Sequence, residues 1–321
     1  MVGVGSLGFH HARLLRELPE VVHAGIFDSD AARLEKVASE LGVSAARRLE
    51  DLLGAAEAVI VAVPTGAHEL VASAALERGV HVLIEKPIAP DLAAADRILK
   101  AAQRSGARVQ IGHIERFNAA LRACEPYLDS PLFVESHRLA PFGTRGTDVA
   151  VVLDLMIHDL DLVLSMVRRR VVGVAASGVG VLTASPDIAN ARLEFEGGCV
   201  ANLTASRISL ERLRKIRFFQ RSGYISLDLA TGSGEFLRLR PGLRFSPGTP
   251  LAGSGLAEIV ERIPLAGDGI EPLRAELDSF VAAVRGEAPV PVTGADGRRA
   301  LAVALDIISR IEGHVAHSVE T

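Results

Sequence analysis

Gly3-Val4-Gly5-Ser6-Leu7-Gly8 sets three glycines in the spacing G-x-G-x-x-G directly ahead of a helical stretch. Few folds can use that arrangement. In a dinucleotide-binding unit the first glycine permits a tight turn. The second lets the backbone approach a pyrophosphate, and the third allows close helix–strand packing. Free N–H groups at the helix start then meet the phosphate charge. Asp28 closes a second apolar run about 20 residues beyond the last glycine, where a carboxylate can accept hydrogen bonds from the adenosine ribose. Such a carboxylate repels a 2′-phosphate, which favours NAD over NADP. Alone, the pattern could be a glycine turn with a solvated aspartate; its place between a strand and a helix favours the nucleotide reading. Farther on, Glu85-Lys86-Pro87 follows an apolar run and puts a lysine at a strand end, where a nicotinamide ring could lie. The two segments together point to hydride transfer.

The first third of the chain alternates helix and strand. Helices are expected over Phe9–Leu18, Ala31–Leu41, His68–Arg78 and Asp91–Ser105. Strands are expected over Val21–Phe27, Ala58–Val63, Val80–Ile84 and Arg108–Ile111. That order predicts a doubly wound parallel sheet. His10 and His11 read as surface or packing residues of the first helix. Only Met1 and Val2 precede Gly3, where a first strand usually has about five or six residues. Either strand one is a stub or the natural start lies upstream; the expectation here is a truncated start, with a cost to stability at the central strand.

Beyond residue 113 the pattern changes. Val151–Val167 reads as a helix, followed by alternating runs at Ala191–Glu196, Cys199–Ala205, Arg214–Gln220, Tyr224–Leu229 and Phe236–Arg240. Glycine-rich turns between them indicate antiparallel hairpins. Helices follow at Glu271–Arg285 and Ala295–His314. The expected fold class is therefore α/β. A doubly wound, NAD-binding Rossmann domain occupies 1–113. An α+β substrate-binding and oligomerisation domain with a mostly antiparallel open sheet occupies 114–321, its C-terminal helix free to pack back on the first domain. Arg240–Gly255, rich in Pro, Gly and Ser, is the expected mobile loop.

Asp154, His158 and Asp161 lie at i, i+4 and i+7, on one face of the expected helix. An imidazole between two carboxylates is an oriented base whose protonated form is stabilised. A buried hydrogen-bond network, a solvated face or a metal site are the other readings. No second His or Cys cluster supports a metal, so none is expected. Lys86 and a cofactor site in the same chain favour chemistry.

Net charge of −4 gives no electrostatic case for nucleic acid or an anionic membrane. Two distant cysteines, Cys124 and Cys199, fit a reducing, cytoplasmic setting. The longest apolar stretch, Val149–Val167, contains Asp154, His158, Asp159 and Asp161, which argues against a membrane span.

Taken in order, the glycine loop, Val63-Pro64-Thr65 with His68, Glu85-Lys86-Pro87 and Asp154-x-x-x-His158-x-x-Asp161 resemble the Gfo/Idh/MocA oxidoreductases over nearly the whole chain. That resemblance implies a Rossmann domain and a sheet domain that makes a homodimer or homotetramer. It implies substrates among sugars, their derivatives and cyclitols. Lys86, Asp154 and His158 become the catalytic positions. Gly3, Gly5, Ser6, Leu7, Gly8, Asp28, Pro64, Thr65, His68, Glu85 and Lys86 become cofactor positions. The Lys86–Pro87 bond is expected to be cis. Met156 departs from the glycine that many members carry.

Gly112-His113-Ile114-Glu115-Arg116-Phe117-Asn118 resembles the signature of members that act on UDP-N-acetylhexosamines at C3, as does Asp148–Asp161. Glu115, Arg116 and Asn118 then join Lys86, Asp154 and His158 on the substrate side, with Arg116 suited to a phosphate or uracil carbonyl. Alternatively, Arg116 pairs with Glu115 or Asp129 to fix a hinge. Arg212, Arg214, Lys215 and Arg217 read as sheet surface or subunit contact. His158, with an ordinary pKa of about 6.5, suits the base; Lys86, at about 10.4, suits stabilising an alkoxide, although it could also serve as base. Asp154 would orient His158. A downstream aminotransferase, in lipid A or surface-polysaccharide assembly, is the expected partner for the keto product. The competing expectations are a dehydrogenase of a free sugar or inositol, and a non-catalytic nicotinamide-responsive regulator.

Overall fold

Strands β1 (Ala58–Val61), β2 (His81–Glu85) and β3 (Val109–Gly112) pair in parallel and are almost wholly buried. Both faces of a parallel sheet are covered, so these segments read as continuous apolar runs rather than alternating ones. The computed structural model describes residues 1–143, 149–240 and 259–319. Asp148 and residues 241–255 of the expected mobile loop lie outside that set. The chain forms two units, Met1–Ile114 with Glu271–Val303, and Glu115–Ile270 with Ala304–Thr321.

In the first unit, single-residue bridges extend the sheet. Val2 pairs with both Phe27 and Val61, and Ile26 pairs with Ala45. The resulting order is Ala45, Ile26–Phe27, Val2, β1, β2, β3, the strand arrangement of a doubly wound nucleotide fold. The strand expected over Val21–Phe27 is thus corrected to paired residues Ile26 and Phe27, and Val22 is 95% exposed. A parallel ladder needs a neighbour along its length, and Val2 alone pairs at the central position. The Met1 ammonium is buried, donates to the Gly25 carbonyl at 2.9 Å and has its pKa lowered by burial to about 5.

Helices α1 (Ser6–Arg16), α2 (Ala31–Leu41), α3 (Leu49–Ala55), α4 (His68–Leu76) and α5 (Leu92–Ser105) alternate with these strands. The Asp30 side chain caps α2 by accepting from Arg33 N, and Gly42, in the left-handed region, ends it. The helix Pro272–Val284 packs Leu273, Leu277 and Phe280 into the core that holds Leu14, Ile26, Ile60 and Leu83. Glu271–Val303, placed in the second domain by the sequence reading, therefore clusters with the first unit.

The second unit is an eight-stranded sheet. Its strands are β4 (Phe133–Leu139), β5 (Val171–Val179), β6 (Ile188–Phe195), β7 (Val200–Ser206), β8 (Leu213–Gln220), β9 (Gly223–Asp228), β10 (Ser233–Leu239) and β11 (Val260–Ala266). They lie in the order β11-β10-β9-β8-β4-β7-β6-β5. Every neighbouring pair is antiparallel except β4 with β7. Along β6, Ala189, Ala191, Leu193 and Phe195 are buried while the residues between them face outward. Helix α6 (Ala119–Cys124) contacts β9, β10 and β11, and α7 (Ile157–Val167) contacts β4 and β7. The outward face carries a row of rings, with Phe133 and Phe219 centred 5.7 Å apart and Phe219 and Tyr224 4.8 Å apart.

Strands β4, β5 and β11 were not legible as strands. The inward positions of β4 are Val134, Ser136 and Arg138, so no apolar alternation marks it. Small residues dominate β5. Pro264 interrupts β11, which lies at the sheet edge, where proline is tolerated. The helix expected over Val151–Val167 begins instead as a π turn, Val152–Met156, before continuing as α7. A π turn packs an extra residue into the turn and so re-aims the side chains it carries.

Candidate active site

The glycine loop has the geometry its spacing requires. Gly3 has φ +81°, and a Cβ there would meet the Ala62 carbonyl oxygen at 2.7 Å. A Cβ on Gly8 would lie 1.9 Å from the Gly3 carbonyl oxygen, whereas one on Gly5 would meet nothing within 4 Å. Gly5 thus borders open space at the start of α1, where a pyrophosphate can approach the backbone. Ser6 and Leu7 form the first turn beside it, and Leu7 is 47% exposed. Asp28 is buried and tied to this loop: its Oδ2 accepts from Val4 N at 2.8 Å and its Oδ1 from Asp30 N at 2.9 Å. Oδ1 also accepts from Arg33 Nη1 at 3.4 Å, and Oδ2 keeps room for a further bond, so a ribose hydroxyl remains within its capacity. Open space at Gly5 and a fixed carboxylate at Asp28 fit NAD.

Around Lys86 the first unit is tightly braced. The Lys86–Pro87 bond is cis, as expected from the sequence, and Lys86 is half-buried. His68 is buried, its Nδ1 2.9 Å from the Pro87 carbonyl oxygen and its Nε2 2.9 Å from that of Val63. It links the turn after β1, with half-buried Thr65 and exposed Pro64, to the turn after β2. Burial lowers the His68 pKa, outweighing the two carbonyls that favour its cation. Glu85 Oε1 lies 2.7 Å from His11 Nε2, and its Oε2 accepts from Lys86 N at 3.3 Å. His10 is exposed while His11 is fully buried. A buried His11–Glu85–Glu276 cluster, with ligand atoms within 4.8 Å of one another, escaped the sequence reading. Its members are far apart in sequence, and only folding assembles them.

In the second unit, Asp154 and His158 are half-exposed while Met156, Ile157, Asp159 and Leu160 are buried. Two arginine forks hold this helix through Asp159 and Asp161. Arg116 donates to Asp161 through Nε at 2.5 Å and Nη2 at 2.8 Å. Arg138 donates to Asp159 through Nε at 3.0 Å and Nη2 at 2.8 Å, and through Nη1 to Glu115 at 2.7 Å. Asp161, read as a second carboxylate for His158, is therefore committed to Arg116. The hinge partners considered for Arg116, Glu115 and Asp129, are replaced by Asp161. Burial raises the Asp159 pKa against the opposing effect of Arg138. Burial pulls the Arg138 guanidinium down, but Asp159 and Glu115 outweigh it and hold its pKa above the ordinary value. Asn118 caps α6 by accepting from Ala120 N at 3.1 Å and donates to Glu115 at 3.2 Å and the Leu229 carbonyl at 2.8 Å. Glu115 and Asn118 thus spend these bonds within the unit, and Arg116 is left with Nη1 outside its fork. Arg138 and Asp159 were not singled out from the sequence; an arginine at an inward β4 position is the signal that would have found them.

The loop geometry makes two predictions. Gly8→Ala should destabilise the protein by about 1–3 kcal/mol or more through overpacking, read from the denaturant midpoint. Gly5→Ala should keep stability within about 0.5 kcal/mol yet weaken NAD binding in calorimetry; wild-type affinity would remove Gly5 from the cradle. Asp28→Ser should weaken NAD binding about tenfold or more. It should also raise relative affinity for NADP, because the Arg33 guanidinium, 3.4 Å from Asp28, remains. Unchanged cofactor preference would count against Asp28.

Residues 1–113 match the family model described as an oxidoreductase family with NAD-binding Rossmann fold, and residues 99–226 match the GFO/IDH/MocA C-terminal domain. The UDP-N-acetylglucosamine 3-dehydrogenase of Acidithiobacillus ferrooxidans is 36% identical over 313 residues, covering 97% of this chain and 96% of that protein. A solved structure of that enzyme superposes with a TM-score of 0.87 over 97% of this chain and 96% of its own. An inositol 2-dehydrogenase of Corynebacterium glutamicum is 30% identical over 54% of this chain and 55% of its own length. With both family models matched and a relative alike over nearly its full length, the chain belongs to the Gfo/Idh/MocA oxidoreductases, NAD-binding Rossmann proteins.

Proposed function

We propose that this protein is an NAD-dependent dehydrogenase that oxidises the C3 hydroxyl of UDP-N-acetylglucosamine to the 3-keto sugar nucleotide. The observation that supports this most is its likeness, over nearly the whole chain, to a UDP-N-acetylglucosamine 3-dehydrogenase. Bound NAD supplies the hydride acceptor. The α1 N-terminus and Gly5 would hold its pyrophosphate, and Asp28 its adenosine ribose. His158 takes the hydroxyl proton, and Asp154 orients it. Lys86 stabilises the developing alkoxide by charge and hydrogen bonding. Arg116, anchored by Asp161, presents Nη1 to the diphosphate or uracil of the substrate.

The keto product would pass to an aminotransferase in lipid A or surface-polysaccharide assembly, in the cytoplasm. The outward face of the eight-stranded sheet, with Phe133, Phe219 and Tyr224, would pair subunits into a homodimer or homotetramer. Among the described residues no helix is long and apolar enough to cross a membrane.

The test is NADH formation from NAD⁺ with UDP-N-acetylglucosamine, beside free N-acetylglucosamine and inositol, with an aminotransferase present to draw off product. Reduction should require the UDP sugar. Reduction with inositol alone would move the assignment to a polyol dehydrogenase, and NAD binding without turnover would favour a regulator. Lys86→Ala and His158→Ala should each lower kcat by about 100-fold or more while NAD affinity survives. Near-normal turnover in either would remove that residue from the mechanism.

A further inference from the structure

Glu276, on the helix Pro272–Val284, is fully buried, and neither carboxyl oxygen accepts a hydrogen bond from a donor among the described residues. Its carboxyl group shares a small space with the Glu85 carboxyl at the end of β2 and with His11 on α1, ligand atoms within 4.8 Å of one another. His11 and Glu85 already bond each other at 2.7 Å. From β3, Gln110 donates to the Glu276 backbone carbonyl at 3.3 Å and adds no charge. Two ionised carboxylates here would face one imidazole in a buried space. An ionised Glu276 without donors would be strongly destabilised. A neutral acid carries its own O–H, which turns repulsion from Glu85 into a charge-assisted hydrogen bond.

We propose that Glu276 is a neutral carboxylic acid that donates a hydrogen bond to the Glu85 carboxylate, so that Glu276, Glu85 and His11 form one hydrogen-bonded chain behind the strand end that carries Lys86. Glu276 is then a positioning residue. Its acid keeps Glu85 as the single anion of the cluster, with Oε1 on His11 and Oε2 on Lys86 N. The inference concerns the first unit alone and does not depend on which sugar the enzyme takes.

Burial, followed by the charge of Glu85, pushes the Glu276 pKa well above its ordinary value of 4.5. Below that ordinary value the carboxyl is protonated whether the chain is folded or unfolded. Above it the unfolded chain releases the proton and the folded chain keeps it, so this group's contribution to stability declines as pH rises toward the folded pKa. Glutamine reproduces the neutral donor without that pH dependence.

Infrared spectra of the wild-type protein at neutral pH should therefore show the C=O stretch of a protonated carboxyl group, lost in Glu276→Gln. Thermal unfolding between about pH 5 and pH 8 should find Glu276→Gln at least as stable as wild type. Its advantage should grow with pH to about 2 °C or more at the upper end. Absence of the carboxyl band, or a Glu276→Gln variant less stable at every pH, would overturn the proposal. Stoichiometric zinc in the purified protein, with a Tm lowered by a chelator and restored by zinc chloride, would overturn it in favour of a three-ligand metal site.

Discussion

A charge taken out of water has to be matched, and both units fix their functional elements through that requirement. In the second unit, Asp159 and Asp161 are both buried on α7, on different faces of the helix, and each receives a two-pronged arginine fork. A carboxylate without its guanidinium would be expensive there, so the helix is fixed in rotation as well as in place. Asp154 and His158 are then left half-exposed by default. In the first unit, Glu85 is held by His11 immediately before Lys86, and the peptide after Lys86 is held by His68 through the Pro87 carbonyl. Lys86, Asp154 and His158 thus sit beside buried groups that cannot move cheaply.

How much of this was legible depended on whether the signal was local. The glycine loop was readable because each glycine answers a separate steric demand, and the structure shows those demands at Gly3 and Gly8 as contacts a Cβ could not survive. The apolar runs of β1 and β2 were readable because a sheet covered on both faces needs no alternation. β4 was missed because its inward face is built from Ser136 and Arg138, which are affordable inside only through partners distant in sequence. The same blindness hid Asp159, which reads as one more polar residue on a helix until Arg138 is placed against it. The Glu276 cluster joins three segments and has no pattern in any one of them. The π turn was likewise unreadable, since Val152–Met156 carries the apolar content of any buried helix.

The loop after β3 shows how one short segment serves two purposes. Glu115 and Asn118 turn inward, to Arg138 and to the backbone at the start of α6 and after β9. Arg116, between them, turns to Asp161 and keeps a partly exposed guanidinium. A motif taken from sequence as a set of substrate contacts thus divides by burial. Its buried members build the support, and its half-buried member remains the one suited to an outside anion. Anchoring lowers the entropy that a long side chain loses on binding, so a fork on Asp161 is compatible with the recognition role proposed for Arg116.

Fold alone cannot separate the substrates that this family accepts, because a Rossmann sheet with a lysine at a strand end serves any secondary alcohol within reach of a nicotinamide. Discrimination has to come from groups that meet the rest of the substrate. A cyclitol offers only hydroxyls, whereas a nucleotide sugar adds a diphosphate of two negative charges and a uracil. A half-buried arginine fixed by a carboxylate is suited to the second need. Under the proposed reading Arg116 is the group that would meet that need, half-buried and held by Asp161. The fork on Asp161 braces α7 whichever substrate is bound, so what separates the readings is whether Nη1 also meets a phosphate or uracil oxygen, which only a nucleotide sugar would bring.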